Sequence, residues 1–207
     1  MMPKISSKAV WAIAIILAVF VFDQLTKYLI LREEAFQAFA CLKGEAMCGR
    51  IELSSVMDFS MVWNKGFSFG LAQAEGIWRW VLTLAVLCIG GMFLYWLIQA
   101  EHTLTAVSLA LVVGGALGNL IDRIRFGAVV DFFDFSGPWF GIEFPIPDFL
   151  RRVEAIFANG MVNTDGKLGL GFPYVFNIAD AAITIGAILL FIDQFLLNRH
   201  DADAGKA

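Results

Sequence analysis

Four runs of about twenty predominantly apolar residues divide this chain, each long enough to cross the hydrocarbon core of a bilayer. They extend over about 9–31, 76–100, 104–123 and 175–197. The second holds no charge after Arg79, the third carries Asn119 and Asp122 near its end, and the fourth carries Asp180 near its start and Asp193 near its finish. Two long loops, 32–75 and 124–174, and one tight link, Glu101-His102-Thr103, join the runs. Four spans place both termini and the tight link on one side and both long loops on the other. Composition agrees: 59% of the 207 residues are hydrophobic and 16% charged, against about 45–50% and 25% in a soluble domain. The expected fold class is all-α membrane, a single polytopic domain over 1–207. A disordered chain, a disulfide-rich secreted mini-domain and a nucleic-acid binder are excluded. With 15 basic and 19 acidic residues and a net charge of -4, there is no basic excess to grip phosphates.

A cleavable signal peptide is the competing reading of the first run, since Lys4 and Lys8 precede it. The apolar stretch continues to Leu31, longer than a signal core, and the small-residue run Ala35 to Ala40 lies well beyond it. Retention is the expectation. The termini carry Lys4, Lys8, Arg199 and Lys206 while the tight link carries no Lys or Arg. This modestly favours cytoplasmic termini, because long loops count little under the positive-inside rule.

Ionisable groups inside or beside spans are expensive and mark function. Asp23 and Lys27 stand at i and i+4, share one helix face and can pair; a structural ion pair is the alternative to a functional one. The third run closes with Gly114 through Arg123, in which Gly114 and Gly118 permit close helix approach. Asn119 and Asp122 are three apart on one face, and Asp131 follows in the apolar stretch Val129–Phe133. The fourth run opens Phe176-Asn177-Ile178-Ala179-Asp180, again with Asn three residues before Asp, and Ala182 and Gly186 form a second small pair. If the long loops share a side, Asp131 and Asp180 lie at one membrane face. Two carboxylates held close do not both ionise cheaply, so one keeps a proton and the other acts as base. The alternative is two unrelated membrane-edge aspartates.

Five blocks in order resemble the bacterial lipoprotein signal peptidases, the signal peptidase II family. They are Asp23-Gln24-Leu25-Thr26-Lys27, Asn64 through Gly70, Gly114 through Arg123, Val129-Val130-Asp131-Phe132 and Phe176 through Asp180. The resemblance implies a multi-pass aspartic endopeptidase of the bacterial inner membrane, with cytoplasmic termini and its active site at the outer face. Such enzymes cut prolipoproteins before a diacylglyceryl-modified cysteine. It implies Asp131 and Asp180 as the catalytic pair, with Asp23, Lys27, Asn64, Asn119, Asp122, Arg123 and Asn177 supporting the dyad and the substrate. It also implies a small extracytoplasmic β platform and an interfacial helix built from 32–75. The expected partners are modified prolipoproteins and membrane lipids, with no cofactor, no metal and a monomeric state.

Two features depart from the family pattern. The stretch between Asp131 and Asn177 is long and contains a helix-like segment, Asp148–Ala158. Phe149, Leu150, Val153, Ile156 and Phe157 share a face there, as an interfacial or a plain packing helix would require. The first loop carries Cys41 and Cys48, six residues apart in the intervening count and with Gly44 between. They are disulfide candidates in an oxidising compartment, with two unpaired thiols as the alternative.

Gly66-Phe67-Ser68-Phe69-Gly70 matches a nucleophile elbow, but that motif needs a downstream Asp/Glu and then His. His102 and His200 map to the opposite side. No H-E-x-x-H is present for a zinc peptidase. The rival class is a proton-linked small membrane transporter subunit. It would place its acids near the bilayer centre, whereas the middles of the second, third and fourth runs lack charge.

Overall fold

The computed structural model describes residues 7–36, 38–42, 47–67, 72–73, 76–135, 143–145, 167–169, 172 and 174–204. The helix expected at 148–158 and Ser68 lie outside them. In chain order the elements are α1 (Ser7–Arg32), a 3-10 turn (Glu34–Phe36), α2 (Ala38–Cys41), β1 (Met47–Glu52), β2 (Asp58–Asn64), β3 (Gly66–Phe67) and β4 (Ala72–Gln73). Then follow α3 (Ile77–Gln99), α4 (Thr103–Phe126), β5 (Val129–Asp134), β6 (Glu143–Pro145), β7 (Lys167–Gly169), β8 (Val175–Phe176) and a last helix, here α5 (Ile178–Ala204). Among the described residues four helices, α1, α3, α4 and α5, are long and apolar enough to cross a membrane.

Two helix boundaries differ from the expected spans. The third span runs on to Phe126, where Gly127 ends it at φ 75°. Glycine adopts this left-handed cap conformation without a Cβ penalty, and the Gly127 N–H closes on the Arg123 carbonyl at 3.0 Å. A Cβ there would also come within 2.9 Å of Arg79 Nη1. The fourth span was expected from Val175, but Val175–Phe176 is a strand and α5 begins at Ile178. Apolar run length cannot separate a strand from the helix it feeds; here pairing of Phe176 with Phe133 decides it.

The chain divides into two compact units. The first comprises Met1–Leu25, Thr83–Ile121 and Ile178–Ala207. Within it α4 supplies the buried centre, with Leu109, Ala110, Val112 and Val113 enclosed. Close approach is made possible by glycines: a Cβ at Gly114 would meet Val19 Cβ at 3.0 Å, and one at Gly186 the Ser108 carbonyl at 2.6 Å. Gly115 lies equally tight against the Ala179 carbonyl. Leu17 and Val21 on α1, Ile89 and Met92 on α3, and Ile188 and Phe191 on α5 point outward. Such faces suit hydrocarbon, where exposed apolar side chains carry no hydration cost.

The second unit comprises Thr26–Leu82 and Asp122–Asn177. It is built on an antiparallel sheet of order β1-β2-β5-β8. Strand β5, Val129-Val130-Asp131-Phe132-Phe133-Asp134, is β-branched and aromatic apart from its two aspartates, the composition that favours a pleated, packed strand. Phe36, Ala38, Cys48, Met61, Trp63, Val130 and Phe132 form the core beneath it. The Trp63 indole N–H donates to the Ala38 carbonyl at 2.8 Å, pinning α2 to β2. Cys41 and Cys48 are bridged, with Cα atoms 5.7 Å apart, tying α2 to β1. The expected platform therefore draws on four strands, of which β5 and β8 come from outside the first long loop.

Candidate active site

In the second unit the site is organised by strand β5. Asp131 is 2% exposed, and a buried carboxylate must be met by donors. Two side-chain amides donate to it. Asn177 Nδ2, directly after β8, reaches Asp131 Oδ1 at 2.6 Å, and also reaches the Val130 carbonyl at 3.2 Å. Asn64 Nδ2, at the end of β2, reaches Asp131 Oδ2 at 3.1 Å. Sheet register explains both approaches: Asn64 lies opposite Val129 and Val62 opposite Asp131, while Phe176 lies opposite Phe133. The Asn64 Oδ1 in turn accepts the Gly66 N–H at 3.2 Å, which fixes the amide's orientation.

Below β5 the last turns of α4 contribute Asp122. Its Oδ2 pairs with Lys27 Nζ at 2.8 Å and accepts the Val130 N–H at 3.2 Å. Both partners of this ion pair are almost fully buried. Asp122 thus couples a helix end to the residue preceding Asp131. Arg123 follows, half-buried, and its carbonyl receives the Gly127 N–H.

In the first unit Asp180 lies in the first turn of α5, half-buried, and its Oδ1 accepts Asn119 Nδ2 at 2.7 Å. Asp23 is fully buried, and its Oδ1 accepts the Ala179 N–H at 3.0 Å. A carboxylate from α1 therefore satisfies one of the donors left open at the start of α5, where negative charge is also favoured by the helix dipole. Gln24 Nε2 bridges Asp23 Oδ2 and the Gly118 carbonyl, each at 3.2 Å. Gly118 is a glycine because a Cβ would collide with the Asp23 carboxylate.

Spacing on the helices anticipated which residues share a face and left out partners that come from other elements. Asn119 and Asp122 share a face but serve different carboxylate environments. The structure gives Lys27 the Asp122 carboxylate and Asp23 the α5 backbone, partners from outside α1 that the i, i+4 spacing does not encode. Sequence reasoning passed over Gln24 as a bridging residue. It also passed over a second polar cluster in the sheet, where Arg50 Nε donates to Asp58 Oδ2 at 3.1 Å and Ser60 Oγ donates to Asp134 Oδ2 at 2.6 Å. Burial opposes the Arg50 charge. The hydrogen bond and charge of Asp58, with Asp134 and Glu52 adding, outweigh it and hold the guanidinium pKa above its ordinary value. The signal for this cluster was present in the second aspartate of Asp131-Phe132-Phe133-Asp134.

Residues 15–196 match the model of the family described as signal peptidase (SPase) II. The chain belongs to the signal peptidase II family. A lipoprotein signal peptidase of Burkholderia cenocepacia is 35% identical over 197 residues, covering 93% of this chain and 91% of the relative. One of Methylorubrum extorquens is 38% identical over 144 residues, covering 69% of this chain and 66% of the relative. Among solved structures, a bacterial membrane enzyme determined by the in meso method at 1.9 Å resolution has a TM-score of 0.56 at 26% identity. It covers 88% of this chain and 91% of that one. A second, at 2.3 Å resolution, has a TM-score of 0.55 at 25% identity over 89% and 87% of the two chains. The fold with four membrane-capable helices and a small antiparallel sheet is thus similar to that of solved bacterial membrane enzymes.

Proposed function

We propose that this chain removes signal peptides from prolipoproteins at a bacterial inner membrane, cutting before a diacylglyceryl-modified cysteine, and that Asp131 and Asp180 act as its aspartic dyad within one functional domain. The observation that carries the reading is Asn177. Its amide holds Asp131 at 2.6 Å, and only Ile178 and Ala179 separate it from Asp180. Covalent length keeps the Asp180 Cα within roughly 11 Å of the Asn177 Cα. Asn177 is fully buried, so it is a fixed reference point rather than a swinging side chain.

The chemistry follows from two carboxyl groups sharing one proton. The ionised one takes a proton from water as the water oxygen attacks the scissile carbonyl carbon. The protonated one gives its proton to the carbonyl oxygen, forming a tetrahedral diol. The C–N bond then breaks as the carboxyl group that took the water proton passes it to the leaving nitrogen and the other carboxylate takes a proton from a diol hydroxyl, which releases the product acid and amine and restores the shared-proton state. Asn64, Asn119 and Asn177 supply neutral donors that orient carboxylates without fixing their charge. Lys27, Asp122 and Asp23 brace the strand and helix that carry the dyad, and Arg123 stands at the membrane edge to meet the substrate backbone. Acyl chains of the substrate would lie against the apolar helix faces, reached sideways from the bilayer. Termini on the cytoplasmic side and a site at the outer face complete the reading. The chain acts as a monomer.

Cleavage of a lipidated model prolipoprotein by purified wild type, Asp131→Asn and Asp180→Asn tests this. Both variants should remain folded and bind the lipidated substrate but lose nearly all cleavage. Near-normal turnover by either one in a folded preparation would reject the dyad.

A further inference from the structure

Strands β2 and β5 place two carboxylates directly opposite each other, Asp58 and Asp134. They are 3% and 0% exposed. Directly opposed residues of an antiparallel pair have Cβ atoms about 4.5–5.5 Å apart, where like charges repel and push the strands apart. Arg50 on β1 brings a cation to this pair and binds Asp58 Oδ2 through Nε and Nη2. Asp58 Oδ1 also accepts the Leu53 N–H at 3.1 Å, and Asp134 Oδ2 the Ser60 hydroxyl at 2.6 Å. Ser60 is itself the register partner of Arg50. The β2–β5 register slips between Phe59 and Val62, and beyond that irregularity lie Val62 opposite Asp131 and Asn64 opposite Val129.

We propose that Arg50 is a positioning residue for the cleavage reaction: its charge balances Asp58 and Asp134, and this holds the β2–β5 register in which Asn64 meets Asp131. The inference rests on the dyad reading above. An irregularity in a ladder is a place where register can move. A one-residue slip turns every side chain beyond it to the other face, which would take Asp131 away from Asn64. The pair Asp58–Asp134 anchors the near side of that irregularity, and it does so only while its charge is balanced. Asp134, directly opposite Asp58 across the ladder, adds its negative charge to that of Asp58 in favouring the charged guanidinium.

The test is a charge-balance cycle in the full-length enzyme, comparing Arg50→Met, Arg50→Lys, Asp58→Asn and Arg50→Met/Asp58→Asn. Two readouts are taken: kinetics on a lipidated model prolipoprotein, and amide hydrogen exchange of 129–134. Arg50→Met should lower kcat by about tenfold or more with little change in KM, as a misplaced catalytic group does, and should speed exchange along β5. Arg50→Lys should recover most of the kcat. Asp58→Asn should rescue Arg50→Met in both readouts, because removing one acid relieves the repulsion that the missing cation exposed. A near-normal kcat in Arg50→Met would overturn the proposal, and so would a double variant as impaired as Arg50→Met. If Arg50→Met does not fold, recovery of folding and cleavage by the added Asp58→Asn supports the proposal, and failure to recover overturns it. Asp131→Asn and Asp180→Asn run alongside. Should they cleave normally while exchange still shows the Arg50–Asp58 coupling, the dyad reading fails and the Arg50 assignment stands for the strand alone.

Discussion

Two ends of one strand hold their carboxylates in opposite ways. At Asp131 the structure brings side-chain amides, Asn64 and Asn177. Three residues on, Asp134 faces Asp58, whose carboxylate is bound by the Arg50 guanidinium. A cation stabilises the ionised state alone and so pins the charge, whereas a neutral amide orients a carboxyl group that can still gain and lose a proton. The same division recurs on the helices. Asp122 is pinned by Lys27 at 2.8 Å, and Asp180 is oriented by Asn119 at 2.7 Å. Amide-held aspartates are therefore the candidates for proton chemistry, and cation-held ones for architecture.

The sharpest way to break this division is substitution by asparagine. At Asp131 or Asp180 it should lower kcat by roughly 10³-fold or more, the range expected when an acid–base group is lost. Unfolding temperature should change little. The double variant should be scarcely worse than either single one, since residues that act as a unit are non-additive. Single-turnover cleavage of lipidated substrate measures both, and additive losses would mean that the two aspartates work separately.

Cation-held positions should behave in reverse. Lys27→Met leaves a buried Asp122 carboxylate without its ammonium, a loss of about 3–5 kcal/mol for a buried pair broken on one side. Yield and thermal stability in detergent should fall before any specific catalytic defect can be read. Lys27→Met/Asp122→Asn should recover much of that stability. A stable but inactive Lys27→Met would move this pair into the catalytic class and undo the comparison.

How much of this was legible in the sequence follows the same line. The four spans could be read because an apolar run of about twenty residues has few alternatives. Asp131 and Asp180 stood out because a carboxylate in an apolar stretch is expensive enough to need a reason. The partners of those carboxylates were not legible. They depend on strand register and on which helix meets which, and no spacing within one segment encodes that. Lys27 shows the limit: it forms an ion pair with Asp122, far away in sequence, which no spacing within α1 encodes. Likewise Val175–Phe176 reads as the start of a span until β5 offers it a strand partner.

Two smaller effects sharpen the picture around Asp131. Removing the Cys41–Cys48 bridge with Cys41→Ser/Cys48→Ser should cost about 2–3 kcal/mol, the chain-entropy value for so short a loop. Mass spectrometry without reductant should find Cys88, which is free and exposed, alkylated and the other two protected. Alkylation of all three in the native protein would remove the bridge from the platform. Asn177→Ala should cost about 1–3 kcal/mol, because Asn177 is fully buried and its loss strips a donor from a buried carboxylate. Asn64→Ala, at a half-buried position, should cost less. Equal losses at the two positions would mean that burial does not grade the amide contacts.

The smallest expected effect decides what kind of carboxylate Asp23 is. Its Oδ1 accepts the Ala179 N–H at the start of α5, an acceptor role that does not itself require a cation. Asparagine keeps a side-chain oxygen that can accept the same bond, and Asn caps helices about as well as Asp. What is lost is the interaction of a negative charge with the helix dipole, about 0.3–1 kcal/mol. Asp23→Asn should therefore shift the unfolding temperature only slightly, while Asp23→Ala, which removes the acceptor, should shift it further. The i, i+4 spacing to Lys27 makes the opposite forecast. If the Asp23 charge is tied to that ammonium, Asp23→Asn should approach Lys27→Met in severity. Thermal unfolding of the three variants side by side separates the two: a large loss in Asp23→Asn would return Asp23 to the cation-held class that its spacing on α1 suggests.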